Sequence, residues 1–291
     1  MEMSMSNGNV LNKIFSRRTL RDVLESRTSI SYEGAVRKNI DFPESKKNID
    51  LIRELYKKIK KNYRNEYFYK NTLLNKLLLG VHKITTTTAL TEISVAKSKA
   101  DFVLINGKAV VYEIKTELDN FDRLKQQIHD YYKAFDHVAV VIWDDKSLIL
   151  ALNKILDKLE YPVGVYVLRK NGCLGTVKKP EPFANSLAFE AMFKLLRKSE
   201  YEQLILKFYG ELPQTSQFEY YKTCKKMLSL IDIDLFYSEY LMILKTRAKV
   251  KKDFLTKVPY ELKFLAYFMN MCEDDYVKLD VFLNKPYGGI L

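Results

Sequence analysis

Apolar residues recur at two different periods along this chain, and the change between them marks its organisation. From Ile49 to Leu79, residues Leu51, Ile52, Leu55, Ile59 and Tyr63, then Leu73, Leu74, Leu77 and Leu78, stand three and four apart. That spacing predicts two consecutive helices, interrupted around Asn62 to Asn71 and closed by Gly80. The run Thr85 to Thr88 is polar and β-branched, a poor helix former, so the chain is expected to turn there. From Ala100 the period changes. Asp101 to Ile105 and Ala109 to Ile114 are nearly continuous apolar runs joined by Asn106-Gly107, a strong hairpin signal. Arms this apolar belong inside a sheet covered on both faces. Residues 121, 124, 128, 131 and 135 then make one helical stripe between Leu118 and Phe135. A strand at Val138 to Trp143, a helix through Leu148, Leu152, Ile155 and Leu159, and a strand at Val163 to Leu168 follow, with a short edge strand after Asn171-Gly172. This order predicts an α/β fold whose mixed sheet of four or five strands lies between helices. Past Pro180 and Pro182, helical spacing resumes at Leu187, Phe189, Met192, Leu195 and Leu196. The expected division is a partly helical N-terminal segment over 1–48, an α/β domain over 49–183 and a helical C-terminal region over 184–291. No internal repeat and no sustained heptad is visible.

Composition narrows the class. With 47% hydrophobic residues and only 10 Gly and 7 Pro in 291 residues, the chain can bury a core, which excludes disordered and collagen-like proteins. No apolar run approaches the ~18–20 residues that cross a bilayer, so no membrane partner is expected. Met1 to Gly8 lacks the apolar stretch of a secretory signal, so export is not expected. Cys173, Cys224 and Cys272 have neither zinc-site spacing nor the pairing of a disulfide framework, which favours a cytoplasmic setting. The 48 Lys+Arg against 36 Asp+Glu leave +12. Basic runs at Arg17-Arg18, Lys57 to Lys61 and Arg247 to Lys252 suit a polyanion or a merely solvated face, and charge alone leaves that choice open. Oligomeric state is not legible.

Glu92, Asp101, Glu113 and Lys115 fall in or near extended segments where a charge is costly unless it is paired or bound to a metal. Residues two apart on a strand share a face, so Glu113 and Lys115 enter one pocket while Ile114 faces the other layer. Carboxylate oxygens suit a hard cation, Mg2+ or Mn2+.

Asp101, then eleven residues, then Glu113-Ile114-Lys115, on a hairpin followed by a helix, resembles the PD-(D/E)XK nuclease superfamily. Gln127-Ile-His-Asp-Tyr131 is similar to the Gln-x-x-x-Tyr motif of its RecB-like branch, and these two positions share a helical face. The run Lys99 to Val141 resembles a branch of bacterial proteins usually left without a specific activity. The resemblance covers roughly residues 85 to 145 well, the sheet to about 178 loosely and the remainder hardly, and Lys99-Ala100-Asp101 replaces the family's Pro-Asp. It implies a restriction-endonuclease-like core and hydrolysis of phosphodiester bonds, in DNA more than RNA. In this reading Asp101, Glu113 and Glu92, with the Ile114 carbonyl, hold Mg2+ or Mn2+. Lys115 positions the attacking water, Gln127 and Tyr131 orient Lys115 or a phosphate, and Arg123 and Lys125 contact backbone phosphates. Glu66 is the alternative additional acid; Glu92 is preferred because a short loop needs little closure entropy.

Register supplies a physical condition. A two-residue turn at Asn106-Gly107 pairs Ile105 with Lys108 and Asp101 with Tyr112, sending Asp101 and Glu113 to opposite faces. A shared pocket requires a three-residue loop, such as Ile105-Asn106-Gly107 with Gly107 left-handed, or a bulge. Plainer readings compete. Glu113 and Lys115 can be an ion pair on an edge strand, Gln127 and Tyr131 ordinary helix residues, and Asp119 and Asp122 stabilisers of a helix N-terminus. His82, His129 and His137 have no pairing motif and are expected to be structural. A non-catalytic binding module on the same fold is the alternative function; a carbohydrate hydrolase does not call for the lysine.

Overall fold

In the computed structural model, which describes residues 11–25, 27, 29–62, 64–80, 86–248, 250 and 252–288, the chain groups into two units. Residues 1–85 and 249–291 form one, here the split unit, and residues 86–248 form the other, the sheet unit. His82, the Met1 to Gly8 segment, and Lys249 and Lys251 of the late basic run lie outside the described residues.

The split unit begins with α1 (Arg17–Leu24) and α2 (Ile30–Asn39), each started by a serine, Ser16 and Ser29, whose hydroxyl accepts a backbone N–H of the first turn. The two helices expected next are α3 (Asn48–Asn62) and α4 (Glu66–Leu73), the latter running into one π turn, Leu74–Leu78. The interruption between them ends earlier than Asn71 because Asn65 caps α4, its side chain accepting the Phe68 N–H at 3.0 Å. Of the predicted stripe of α3, Leu51, Leu55 and Ile59 are fully buried and Ile52 nearly so, while Tyr63 lies outside the described residues.

The sheet unit holds six strands in sequential spatial order: β1 (Thr88–Val95), β2 (Ser98–Asn106), β3 (Lys108–Ile114), β4 (His137–Trp143), β5 (Gly164–Leu168) and β6 (Leu174–Lys178). β1, β2 and β3 form an antiparallel meander, β3, β4 and β5 run parallel, and β6 returns antiparallel. The parallel steps are bridged by α5 (Leu124–Tyr132) and α6 (Lys146–Leu156). The fold is therefore α/β with a mixed sheet, as expected. It has one strand more than the predicted maximum because Thr88, read as part of a turn, opens β1. α5 is shorter than its stripe suggested, and residues 115–123 form a loop on which Leu118 is 74% exposed.

Four further helices, α7 (Phe189–Leu195), α8 (Lys198–Tyr209), α9 (Gln217–Leu228) and α10 (Ile233–Lys245), complete the sheet unit. Phe193, Ile205 and Tyr240 from this layer join Val103, Val111 and Ile128 in one apolar core. Polar contacts fix α10 to the sheet: the Tyr237 hydroxyl donates to Asp136 Oδ1 at 2.6 Å, and Thr88 Oγ1 donates to the Lys245 carbonyl at 2.7 Å. The chain then returns to the split unit with α11 (Lys252–Lys257), α12 (Lys263–Phe268) and α13 (Glu273–Asn284). There Asn48 Nδ2 donates to the Phe282 and Lys285 carbonyls at 3.0 and 3.2 Å.

This grouping differs from the expected boundaries at 48/49 and 183/184. The textural changes at those points are changes of element type, whereas the partner an amphipathic helix packs against is decided in three dimensions. Among the described residues no helix is long and apolar enough to cross a membrane.

Candidate active site and metal centre

The candidate site is built by the β2–β3 hairpin. Ile105 pairs with Ala109 and Asn106 with Lys108 around Gly107, which is left-handed at φ +72°. The required odd count is met, with the turn centred on Gly107 rather than on Asn106. Phe102 pairs with Tyr112, and extending that register by one residue sets Asp101 opposite Glu113 on the same face. Asp101 Oδ2 also accepts the Ile114 N–H at 2.8 Å, which fixes its carboxylate at the end of the ladder. Ile114 closes β3 with its own side chain buried.

Glu113 and Lys115 are 2% and 9% exposed. Lys115 Nζ lies 3.0 Å from Glu113 Oε1 and donates to Gln127 Oε1 at 2.8 Å, while Gln127 Nε2 donates to Glu113 Oε1 at 2.5 Å. The Tyr131 hydroxyl lies 2.6 Å from Glu113 Oε2. Gln127 and Tyr131, one helical turn apart on α5, thus both reach the acid. β3 lies between β2 and β4, so the ion pair is interior to the sheet and the edge-strand reading does not hold.

The Tyr131 hydroxyl also lies 2.8 Å from the Lys99 carbonyl. The hydroxyl proton is shared between these two acceptors, the carbonyl and Glu113 Oε2. Burial pushes the Glu113 pKa above the ordinary carboxylate value, while Lys115, Tyr131 and Gln127 oppose that shift. Burial, followed by the Glu113 charge, pushes the Tyr131 hydroxyl upward as well.

Glu92 interrupts the β1–β2 ladder between the pairs Thr91–Phe102 and Ile93–Ala100, at φ +58°. A left-handed glutamate costs on the order of 1 kcal/mol or more and persists only where its surroundings hold it. Its carboxylate forms an ion pair with Lys99, and one of its oxygens lies within 4.8 Å of one from Asp101. Glu66, the other acid considered, opens α4 in the split unit and pairs with Lys70.

The remaining candidates divide. Arg123 occupies the N-cap of α5 and Lys125 its first turn, and both are exposed. Asp119 does not cap α5: it accepts the Thr116 N–H and hydroxyl at 2.8 and 2.7 Å and shapes the loop before the helix. Neither Asp119 nor Asp122 stands in the first turn of α5. His129 meets the Tyr161 hydroxyl and His137 meets Asp136, both away from Glu113.

Two contributors went unrecognised in the sequence. The Lys99 carbonyl is a main-chain group that no motif marks. Asp130, only 1% exposed, accepts Ser98 Oγ at 2.8 Å, Lys133 Nζ at 2.8 Å, Gln126 Nε2 at 3.1 Å and the Lys97 N–H at 3.3 Å. Its place beside Tyr131 inside the Gln-x-x-x-Tyr run was the available signal.

The donors, all oxygens with a buried ammonium beside them, suit a hard divalent cation. Glu92 and Asp101 converge as one would require, whereas both Glu113 oxygens are already engaged by side chains.

Among proteins of known families, a family model described as Bacteriophage P4 protein cII matches residues 59–264, more than half of the chain. No curated protein and no solved structure matches it.

Proposed function

The chain belongs to the bacteriophage P4 protein cII family, and from that footing and the pocket just described we propose that it is a metal-dependent nuclease of the PD-(D/E)XK type, acting on DNA in preference to RNA. The family description names a phage protein and no chemistry, so support comes from the pocket. The observation that carries the reading is the hairpin register, which sets Asp101 opposite Glu113 while Lys115, Gln127 and Tyr131 gather on Glu113.

Glu92, Asp101 and Glu113, with the Ile114 carbonyl, are the groups that would hold Mg2+ or Mn2+. Such a cation, when bound, neutralises the scissile phosphate and lowers the pKa of a coordinated water. Lys115 donates hydrogen bonds toward the attacking water and the developing phosphate charge. Gln127 aims that ammonium, its carbonyl oxygen accepting from Lys115 Nζ. Tyr131 fixes the Glu113 carboxylate, and the exposed Arg123 and Lys125 supply contacts to backbone phosphates. The free thiols of Cys173, Cys224 and Cys272 are compatible with a cytoplasmic setting.

Purified protein should cut circular or linear DNA with Mg2+ or Mn2+ and stop in EDTA, with RNA cut more slowly. Asp101→Ala and Lys115→Ala should abolish cleavage while circular dichroism remains that of a folded protein. Equal degradation by wild type and both variants, or no cleavage of any substrate by wild type, overturns the reading.

One observation favours a second reading, a non-catalytic binding module: Glu113 is satisfied internally by Lys115, Gln127 and Tyr131. That reading expects salt-dependent DNA affinity, indifferent to Mn2+ and to Asp101→Ala.

A further inference from the structure

We infer that Lys115 and a divalent cation compete for Glu113, the ammonium group serving as a built-in counter-ion that must leave the acid before the acid can coordinate. This rests on the metal-dependent reading above and concerns how that site is controlled.

Glu113 is buried in the sheet interior, where a carboxylate without compensation is strongly disfavoured. Its compensation is asymmetric. Oε1 receives two donors, Lys115 Nζ at 3.0 Å and Gln127 Nε2 at 2.5 Å, while Oε2 meets the neutral Tyr131 hydroxyl. Gln127 is bifunctional: its amide nitrogen donates to the acid and its oxygen accepts from Lys115 at 2.8 Å, closing a three-membered circuit of side chains. The circuit holds the ammonium against the carboxylate more firmly than the ion pair would alone.

The neighbouring acids differ in exposure: Glu92 is paired with Lys99 at the surface, where an ion pair is weak, and Asp101 Oδ2 accepts a backbone N–H, with an oxygen of Asp101 within 4.8 Å of one from Glu92. A cation that Glu113 is also to hold meets there a carboxylate already carrying a positive partner on Oε1. Two cations within a few ångström of one carboxylate repel strongly, and the shielding available to residues this buried is weak. Coordination through Oε1 therefore requires Lys115 to move off it, and coordination through Oε2 sets the cation against the same ammonium across one carboxylate. Lys115, still tethered through Gln127 Oε1, is then free to face a water or a phosphate. The exchange links neutralisation of Glu113 to the arming of the lysine, so Lys115 turns outward only when the acid is otherwise satisfied.

The test is direct Mn2+ binding to the full-length protein, read from the electron paramagnetic resonance signal of free Mn2+. Lys115→Met keeps side-chain length and removes the charge. It should bind Mn2+ about tenfold or more tightly than wild type, the order expected when a positive charge near a cation site is removed. Gln127→Met, which opens the circuit while leaving the ion pair, should shift affinity in the same direction by a smaller factor and covers the case in which Lys115→Met fails to fold. Asp101→Ala should bind weakly or not at all. Unchanged or weaker binding by Lys115→Met and Gln127→Met, with Asp101-dependent binding in wild type, overturns the competition and leaves the metal site standing. Absence of saturable Mn2+ binding in every protein overturns the metal-dependent reading and the competition with it.

Discussion

Glu113 tolerates its burial because Lys115, Gln127 and Tyr131 all reach it, and Tyr131 can be altered without changing the charge or volume of the pocket. Tyr131→Phe removes only the hydroxyl that bridges Glu113 Oε2 and the Lys99 carbonyl. Leaving those acceptors without it should lower stability by about 1–3 kcal/mol, read as a fall in the urea midpoint at unchanged m-value. An unaltered midpoint would show that the hydroxyl does not bind the acid. That Glu113 shares a face with Lys115, and Gln127 with Tyr131, was visible in their spacing, whereas their convergence was only what the family resemblance implied. The left-handed backbone of Glu92 was not, because φ +58° in a strand reflects what surrounds the residue rather than its intrinsic preference.

Among the elements, the two hairpins of the meander are controlled differently. The β2–β3 loop is local: Gly107 supplies the positive φ, and a Cβ there would meet nothing within 4 Å. Gly107→Ala should therefore cost only about 1 kcal/mol, the left-handed penalty, without a change of register. A loss of several kcal/mol on urea unfolding would mean that the loop is packed. The β1–β2 turn, with Ala96 at φ +51°, is held from outside by Asp130 on α5, which accepts the Lys97 N–H and the Ser98 hydroxyl. Asp130→Ala should destabilise by about 2 kcal/mol or more and speed amide hydrogen exchange over residues 97–101 relative to the β2–β3 loop. Uniform exchange across both hairpins would count against the clamp. β2 and β3 were legible from their apolar runs and Asn106-Gly107, whereas β1 was not, because the Thr-rich stretch at its start reads equally well as a turn.

At the scale of the whole molecule, the helices after β6 serve two bodies. α7 to α10 complete the core of the sheet unit, and α11 to α13 belong with the N-terminal helices. Within the sheet unit Glu200 on α8 is buried, and Arg247 grips it through Nε at 2.7 Å and Nη2 at 2.6 Å. Burial alone would raise the Glu200 pKa, but Arg247 and the Arg197 N–H outweigh it and hold the carboxyl below its ordinary value. A carboxylate depressed in the folded state contributes stability above the unfolded value of about 4.3, and that contribution fades as pH falls through the folded pKa. Wild type should accordingly exceed Glu200→Gln in urea midpoint near neutral pH, with the gap closing as pH falls below the ordinary carboxylate range. A gap that stays constant through acid would show that hydrogen-bond geometry, rather than charge, is responsible.

Periodicity and turn chemistry in the sequence determined the α/β class, the β2–β3 hairpin and the face shared by Gln127 and Tyr131, because each depends on residues a few positions apart. The contest between a two-residue and a three-residue loop stayed open in the sequence, since Asn106-Gly107 serves either. Only tertiary structure decided it, and with it whether Asp101 and Glu113 share a face. The same holds for the division of the late helices and for the engagement of Glu113 by Lys115. These outcomes depend on which distant surfaces bury one another, and an apolar stripe records that it must be covered without recording by what.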